Sequence, residues 1–149
     1  MAQQDLMQRW LRGRQTIIVE LAGLAREVRS DATSEASLLQ RLKTFCADIV
    51  DYVSAGHFEI YSRLVDTADA ARLFITLGTR LQCTTDQVLA FNDSVTRARP
   101  DRARLRRVLA DVGMALEERL ALEDRLIHAA RVPLAGRPTP RAPVFATPT

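Results

Sequence analysis

Residues 45–64 read FCADIVDYVSAGHFEIYSRL, and the spacing of the apolar side chains in this segment decides the fold. On a helix that turns by about 100° per residue, five of these side chains fall within one arc roughly 100° wide. They are Phe45, Ile49, Val53, Ile60 and Leu64. Gly56 lies in the same arc, where it offers no side chain and lets a neighbouring helix approach closely. The pattern is typical of a core-facing helix that runs through Gly56.

A second set of side chains would lie on the other side of this helix. Asp51, Ser54 and Phe58 stand at positions i, i+3 and i+7, about 160° from the apolar arc. A carboxylate, a hydroxyl and a phenyl ring in one line form a surface that a partner can bind. The same residues also fit a helix that breaks at Gly56. In that alternative, Ser54 caps a new helix, Phe58 packs under a flanking helix and Asp51 is merely solvated.

The length and composition favour a single domain without a membrane segment. The chain has 149 residues, of which 47% are hydrophobic, and a domain of this length buries roughly 68–70% of its unfolded surface. No run approaches the roughly 18 apolar residues of a membrane span, and no secretory signal is evident, so we expect a cytoplasmic protein. Cys46 and Cys83 have no CxxC spacing, which indicates free, buried thiols.

The net charge of +3 comes from the C-terminal end of the chain. Residues 131–149 contain three arginines and no acid, which leaves 18 basic and 18 acidic residues in 1–130. A neutral body is poorly suited to general nucleic-acid binding. Six arginines between Arg97 and Arg107 keep an arginine-mediated nucleic-acid contact as an alternative, but no aromatic residue accompanies them to stack on bases.

Helical periodicity continues on the N-terminal side of the organising segment. Residues 4–29 predict a first helix, with Trp10 in the core or in a groove. Residues 30–34 are a polar junction that offers several N-caps, and a second helix is expected to start near Ser34.

The C-terminal half is also expected to be helical. Residues 66–96 predict two helices, with Gly78 as the C-cap of the first one. Pro100 and Asp101 indicate the start of a last helix over about 101–130. Its acids, including Glu123, are expected to form a solvated face with weak i,i+4 pairs, or to complement a basic partner. The fold class is therefore an all-α antiparallel bundle with short additional helices.

The domain organisation follows from a change in composition near residue 131. Residues 1–131 form the predicted helical domain. Residues 132–149 are rich in proline, with small and polar neighbours and two arginines, which is typical of a disordered tail.

No catalytic, cofactor or metal site is expected. The sequence has no glycine-rich phosphate loop, no nucleophile motif and no metal-ligand spacing. His57 and His128 are the only histidines and Lys43 is the only lysine, which disfavours a phosphotransfer domain. A carboxylate-bridged metal bundle needs repeated Glu-x-x-His motifs, and none occurs.

Three segments resemble those of a known family. They are Phe45-Cys46 with residues 50–58 and Ile60-Tyr61; Arg9-Trp10-Leu11 with Arg14; and residues 108–113, 115–117 and 122–127. The run VDYVSAGHF at residues 50–58 is similar to the signature of the Rsd/AlgQ family. The members of this family are bacterial regulators that bind the primary, sigma-70-type sigma factor of RNA polymerase. The match is weakest over residues 66–96.

The resemblance implies a non-enzymatic anti-sigma factor. Its partner would be region four, the basic helix-turn-helix domain of the primary sigma factor, which it would keep from core polymerase and promoter DNA. Within the motif, Asp51 would supply charge, Ser54 a hydrogen bond and Phe58 an apolar anchor, with His57 and Tyr61 in the same surface. The resemblance implies no direct nucleic-acid contact and no membrane contact. Other regulatory protein partners and a small ligand at the Asp51 stripe stay open.

Overall fold

The computed structural model describes the backbone of residues 2–131 and the side chains of residues 5–130 other than Phe58. Within these residues, the chain forms five helices and one π-helical turn, and no strand. They are α1 (Ala2–Glu27), α2 (Glu35–Ala55), the π-helical turn Gly56–Ile60, α3 (Tyr61–Leu64), α4 (Ala68–Arg97) and α5 (Arg102–Arg131). The all-α prediction is confirmed. The predicted tail at 132–149 lies outside the described residues.

The four long helices form an antiparallel bundle. Each packs on two neighbours, in the order α1, α2, α4, α5 and back to α1. The bundle encloses one apolar core to which α1, α2, α4 and α5 all contribute, and Trp10 is part of it, as predicted. No helix within residues 2–131 is long and apolar enough to cross a membrane.

Side-chain caps define where three of the helices begin. Ser34 Oγ accepts a hydrogen bond from the Ser37 amide at 3.1 Å, and Thr67 Oγ1 accepts one from the Ala70 amide at 3.1 Å. The Arg104 amide donates to Asp101 Oδ1 at 2.8 Å at the start of α5. Each cap satisfies a backbone donor that has no partner within its helix. The predicted starts near Ser34 and after Pro100 are confirmed.

The segment 45–64 faces the core along its whole length. All five apolar side chains of the predicted arc are buried. Gly56 has right-handed helical angles, φ −57° and ψ −51°, so the chain does not break there. A hydrogen bond from the Tyr61 amide to the Gly56 carbonyl instead closes a π-helical turn. The prediction of a continuous core-facing helix is confirmed, with one widened turn in it.

The prediction of a helix end at Gly78 is wrong. A single helix, α4, runs through this position from Ala68 to Arg97. Its buried side chains recur at helical spacing on both sides of the glycine, among them Leu77, Leu81, Val88 and Val95. Packing of this continuous stripe on α5 outweighs the cost of one interior glycine, which is about 1 kcal/mol.

The two cysteines are free, as predicted, but they differ in exposure. Cys46 is buried in the core, and burial raises the pKa of its thiol to about 11. Cys83 is exposed on α4, so the expectation that both thiols are buried is wrong for this residue. Its position on the helix points away from the stripe of α4 that packs on α5.

Candidate functional site

The five residues predicted to bind a partner follow one another around the π-helical turn. Asp51 and His57 are exposed, and Ser54 is half-buried. Tyr61 is only 3% exposed and lies in the core, so it is not part of the accessible surface. The side chain of Phe58 lies outside what the structure describes. The binding role of all five residues stays a prediction.

A groove of about 350 Å³ runs beside this segment, between α1 and the C-terminal end of α2. The indole of Trp10 and the ring of Tyr52 line it, stacked with centroids 5.2 Å apart and planes within 1°. Arg9 lines the groove from α1, and Asp51 and Glu59 line it from the opposite side. The groove therefore has an aromatic floor and a rim that is mainly acidic.

The π-helical turn brings the backbone close to two neighbouring helices. A Cβ atom at Gly56 would lie 3.4 Å from Trp10 Nε1 on α1 and 3.5 Å from Arg119 Nη2 on α5. The close approach predicted at this glycine is therefore present. The buried Trp10 Nε1 has no hydrogen-bond acceptor among the described residues.

A buried carboxylate lies beneath the turn and accepts four hydrogen bonds. Glu123 Oε1 accepts from the Tyr52 hydroxyl at 2.5 Å and from Arg14 Nη2 at 3.1 Å. Glu123 Oε2 accepts from the Tyr61 hydroxyl at 2.6 Å and from Arg119 Nε at 3.0 Å. Tyr52 belongs to the last turn of α2 and Tyr61 begins α3. Glu123 therefore binds both flanks of the π-helical turn.

The ionisation states of this cluster are set by burial and by its own charges. Burial, reinforced by the negative charge of Glu123, raises the pKa of both Tyr52 and Tyr61 above the ordinary value of 10. Both hydroxyls therefore remain protonated at neutral pH and can donate to the carboxylate. Arg14 and Arg119 supply the positive charge that a buried carboxylate requires.

Arg119 extends the cluster to the fourth long helix. Its Nη1 donates to the hydroxyl groups of Thr84 and Thr85 on α4, at 3.1 and 2.7 Å. Its guanidinium also lies 5.6 Å from the centroid of the Tyr61 ring. Together with Arg14 on α1, this residue connects the carboxylate on α5 to every other long helix of the bundle.

The expectation that Glu123 belongs to a solvated face is wrong. Glu123 and Arg119 are both 0% exposed. An i,i+4 pair of opposite charges usually lies on a helix surface, and the sequence pattern alone gave no reason to place this one inside. The residues that could have indicated a buried carboxylate lie elsewhere in the chain. Tyr52 and Tyr61 each bring a hydroxyl into the same buried region.

The arginine cluster at 97–107 divides into structural and exposed members. Arg102 donates to four carbonyl oxygens at the end of α1 and in the connection to α2. Arg104 donates to Ser94 Oγ at 2.5 Å. The other four arginines of the cluster are exposed. Two of the six side chains are therefore already used by the fold, which weakens the nucleic-acid alternative.

No group of three or more His, Cys, Asp or Glu side chains among the described residues is arranged to hold a metal ion.

The comparisons with known proteins agree on one family. Residues 1–131 match the family described as "Regulator of RNA polymerase sigma(70) subunit, Rsd/AlgQ". Similar proteins named "Regulator of sigma D" come from Shigella boydii serotype 4 (strain Sb227) and Escherichia coli (strain K12 / DH10B). Each is 34% identical over 142 aligned positions, which cover 85% of this chain and 87% of the relative. The chain belongs to the Rsd/AlgQ family of regulators of the RNA polymerase sigma(70) subunit.

Proposed function

We propose that this chain regulates transcription by binding the primary sigma factor of RNA polymerase. It acts in the cytoplasm by binding and not by catalysis. The observation that carries the proposal is the family match, which spans the whole helical domain and includes relatives named for regulating sigma D. In this proposal the protein limits the access of the sigma factor to core polymerase and promoter DNA.

The surface at the end of α2 and in the π-helical turn is the proposed contact for region four of the sigma factor. Region four is a basic helix-turn-helix domain, and the exposed carboxylates of Asp51 and Glu59 face the solvent beside the groove. Opposite charges across an interface speed association and fix its orientation. In this proposal Asp51 orients the partner, Ser54 supplies a hydrogen bond, and Phe58 is the apolar anchor.

Two further residues have supporting roles in the proposal. His57 lies at the exposed edge of the surface. Tyr61, which is buried, would act from beneath, because its bond to Glu123 holds the flank of the turn that carries the contact residues. The hydrogen bond from Tyr52 to the same carboxylate holds the other flank. The buried cluster would thus keep the surface in one conformation before the partner arrives.

Titration of purified variants with sigma region four tests the proposal. We expect Phe58→Ala to weaken binding by about 1–3 kcal/mol, as an interface anchor does. Asp51→Asn should also act on binding, because it keeps the shape of the side chain and removes the charge. Both changes should alter the free energy of unfolding by about 0.5 kcal/mol or less, as is usual for surface substitutions.

A core substitution on the same helix provides the matched control. Ile49→Ala should lose about 2–5 kcal/mol of stability, because it leaves a cavity in the core. It should bind normally wherever the protein remains folded. If Phe58→Ala unfolds the protein as badly as Ile49→Ala, the ring is a core residue and the surface does not exist. If random duplex DNA binds as tightly as region four at physiological salt, the nucleic-acid alternative replaces this proposal.

A further inference from the structure

A groove between α2 and α4 lies outside the proposed sigma contact. Its volume is about 210 Å³, and the residues that line it from α2 are Leu39, Leu42, Lys43 and Cys46. The α2 residues that line the groove beside α1, among them Asp48, lie on the opposite side of this helix. A partner in one groove therefore leaves the other groove open.

The base of the α2/α4 groove is apolar. Leu42, Cys46 and Val95 line it and are buried, and Leu39 is half-buried beside them. The volume of about 210 Å³ is smaller than the roughly 300–1,000 Å³ of pockets that enclose a small molecule. The groove therefore suits an apolar side chain that a larger partner presents.

The rim of this groove is basic. Lys43 on α2 and Arg99 in the α4–α5 connection line it and are exposed, and no acidic residue lines it. Neither of the two forms an ion pair or a hydrogen bond with another described residue. Long basic side chains can lay their apolar stems along such a surface while the charged ends stay in water. Both charges are thus available to the carboxylates of a partner.

The lining of the groove favours a peptide over a nucleic acid. None of the residues that line it is aromatic, so a base would have no ring to stack on. A phosphate backbone would contact the two basic side chains and leave the apolar base uncovered. A peptide that combines Asp or Glu with an apolar side chain matches both the rim and the base.

We propose that the α2/α4 groove binds a segment of a second protein in which Asp or Glu residues flank an apolar side chain. The apolar side chain packs on Leu39, Leu42 and Val95. The carboxylates pair with Lys43 and Arg99 at the rim. The sigma contact is proposed for a basic domain, so the two surfaces of this chain select partners of opposite charge.

Titration of the full-length chain with a defined peptide tests the proposal. The probe is acetyl-Asp-Glu-Leu-Phe-Glu-Asp-amide, and the methyl signals of leucine and valine report where it binds. We expect the signals of Leu39, Leu42 and Val95 to shift, and that of Leu6, which lines the groove beside α1, to stay in place. A probe with Ser-Gly in place of Leu-Phe should cause no shifts, and neither should one with Asn and Gln in place of Asp and Glu.

Two double variants that remove the same charge separate pairing at the rim from general attraction. Lys43→Gln with Arg99→Gln should weaken binding of the probe about tenfold, which corresponds to the loss of two exposed ion pairs. Arg97→Gln with Arg107→Gln is the matched control, because both arginines are exposed and neither lines the groove. This control should bind the probe as the natural chain does. No sigma factor is used, so the result is independent of the proposed function.

Four results would overturn the proposal. Equal weakening in the two variants would reduce the binding to general attraction between charges. Absence of shifts in the groove at probe concentrations on the order of millimolar would exclude a peptide site there. A single-stranded oligonucleotide that shifts the same methyl signals at a lower concentration than the probe would replace the peptide by a nucleic acid. Shifts produced by concentrating the chain alone would place a second copy in the groove.

Discussion

Glu123 is fully buried, and its two oxygens accept four hydrogen bonds from four parts of the chain. The donors are Arg14 on α1, Tyr52 on α2, Tyr61 on α3 and Arg119 on α5 itself. Removing one member of a buried charged cluster leaves the others without compensation, and this cost exceeds the net benefit of forming the cluster. The charge of this carboxylate is therefore required by the groups buried around it.

Glu123→Gln should destabilise the protein strongly. The amide keeps the shape of the side chain, but the buried Arg119 loses the carboxylate it pairs with and Arg14 keeps only the exposed Asp124. We expect a loss of about 3–5 kcal/mol. Urea denaturation measures the change. Asp124→Asn is the matched control, because Asp124 also pairs with Arg14 but its side chain is 63% exposed. It should cost about 1 kcal/mol at most. Similar losses in the two variants would show that the buried cluster does not carry the charge balance described here.

The carboxyl group of Glu20 should make the free energy of unfolding depend on pH. Glu20 on α1 interacts with Asp48 on α2, and its buried Oε1 has no hydrogen-bond partner among the described residues. Burial, together with the hydrogen bond and the charge of Asp48, raises the pKa of Glu20 to about 7, above its ordinary value of 4.5. The protonated form, which can donate to Asp48, is thus favoured by folding. This contribution to stability is fully present below about pH 4.5 and is lost as the pH rises through about 7.

Glu20→Gln should remove this pH dependence, because an amide is neutral at every pH and can always donate to Asp48. We expect the free energy of unfolding of the variant, relative to the natural chain, to increase between pH 5 and pH 8. Chemical denaturation at several pH values measures the difference. Glu117→Gln, an exposed change on α5, is the control and should show no such trend. A constant difference between Glu20→Gln and the natural chain would mean that the two carboxyl groups do not share a proton.

At the scale of the helices, Gly78 is a position where the structure has room for a side chain. A Cβ atom there would have no atom within 4 Å, and α4 continues through it. Gly78→Ala should therefore stabilise the protein by about 0.5–1 kcal/mol, because alanine loses less conformational entropy in a helix. Thermal and urea denaturation check the sign. Gly56→Ala should gain less or lose stability, because its methyl group would lie 3.4 Å from Trp10 Nε1. A loss of stability in Gly78→Ala would mean that α4 is not continuous.

These two glycines also show what the sequence could predict. The apolar arc of residues 45–64 was readable because its period of 3.6 is visible without any tertiary information. A glycine in the sequence does not by itself distinguish a helix end from a helix interior. At Gly78, the packing of α4 on α5 keeps the helix continuous. The π-helical turn at Gly56–Ile60 has no sequence signature of its own. The burial of Glu123 depends on tyrosines more than sixty residues away, so no local pattern predicts it.

At the scale of the whole molecule, one arginine at the start of the last helix, α5, binds the end of the first helix, α1. Arg102 begins α5, and its guanidinium donates to the carbonyl oxygens of Glu27, Val28, Ser30 and Thr33 at 2.6–3.3 Å. These oxygens lie at the C-terminal end of α1 and in its connection to α2. A positive charge at the end of a helix also interacts favourably with the helix dipole. The arginine thus closes the ring of helices between its first and last members.

Arg102→Gln should lose about 1.5–3 kcal/mol, because hydrogen bonds to a charged group contribute about that much. Arg102→Lys should lose nearly as much, since a single ammonium cannot reach the four oxygens that the planar fork reaches. Arg106→Gln, on the exposed side of the same cluster, is the matched control and should change stability by about 0.5 kcal/mol or less. Urea denaturation of the three variants separates the roles. If Arg102→Gln and Arg106→Gln were equally mild, Arg102 would not close the bundle and its guanidinium would be free to contact phosphate groups.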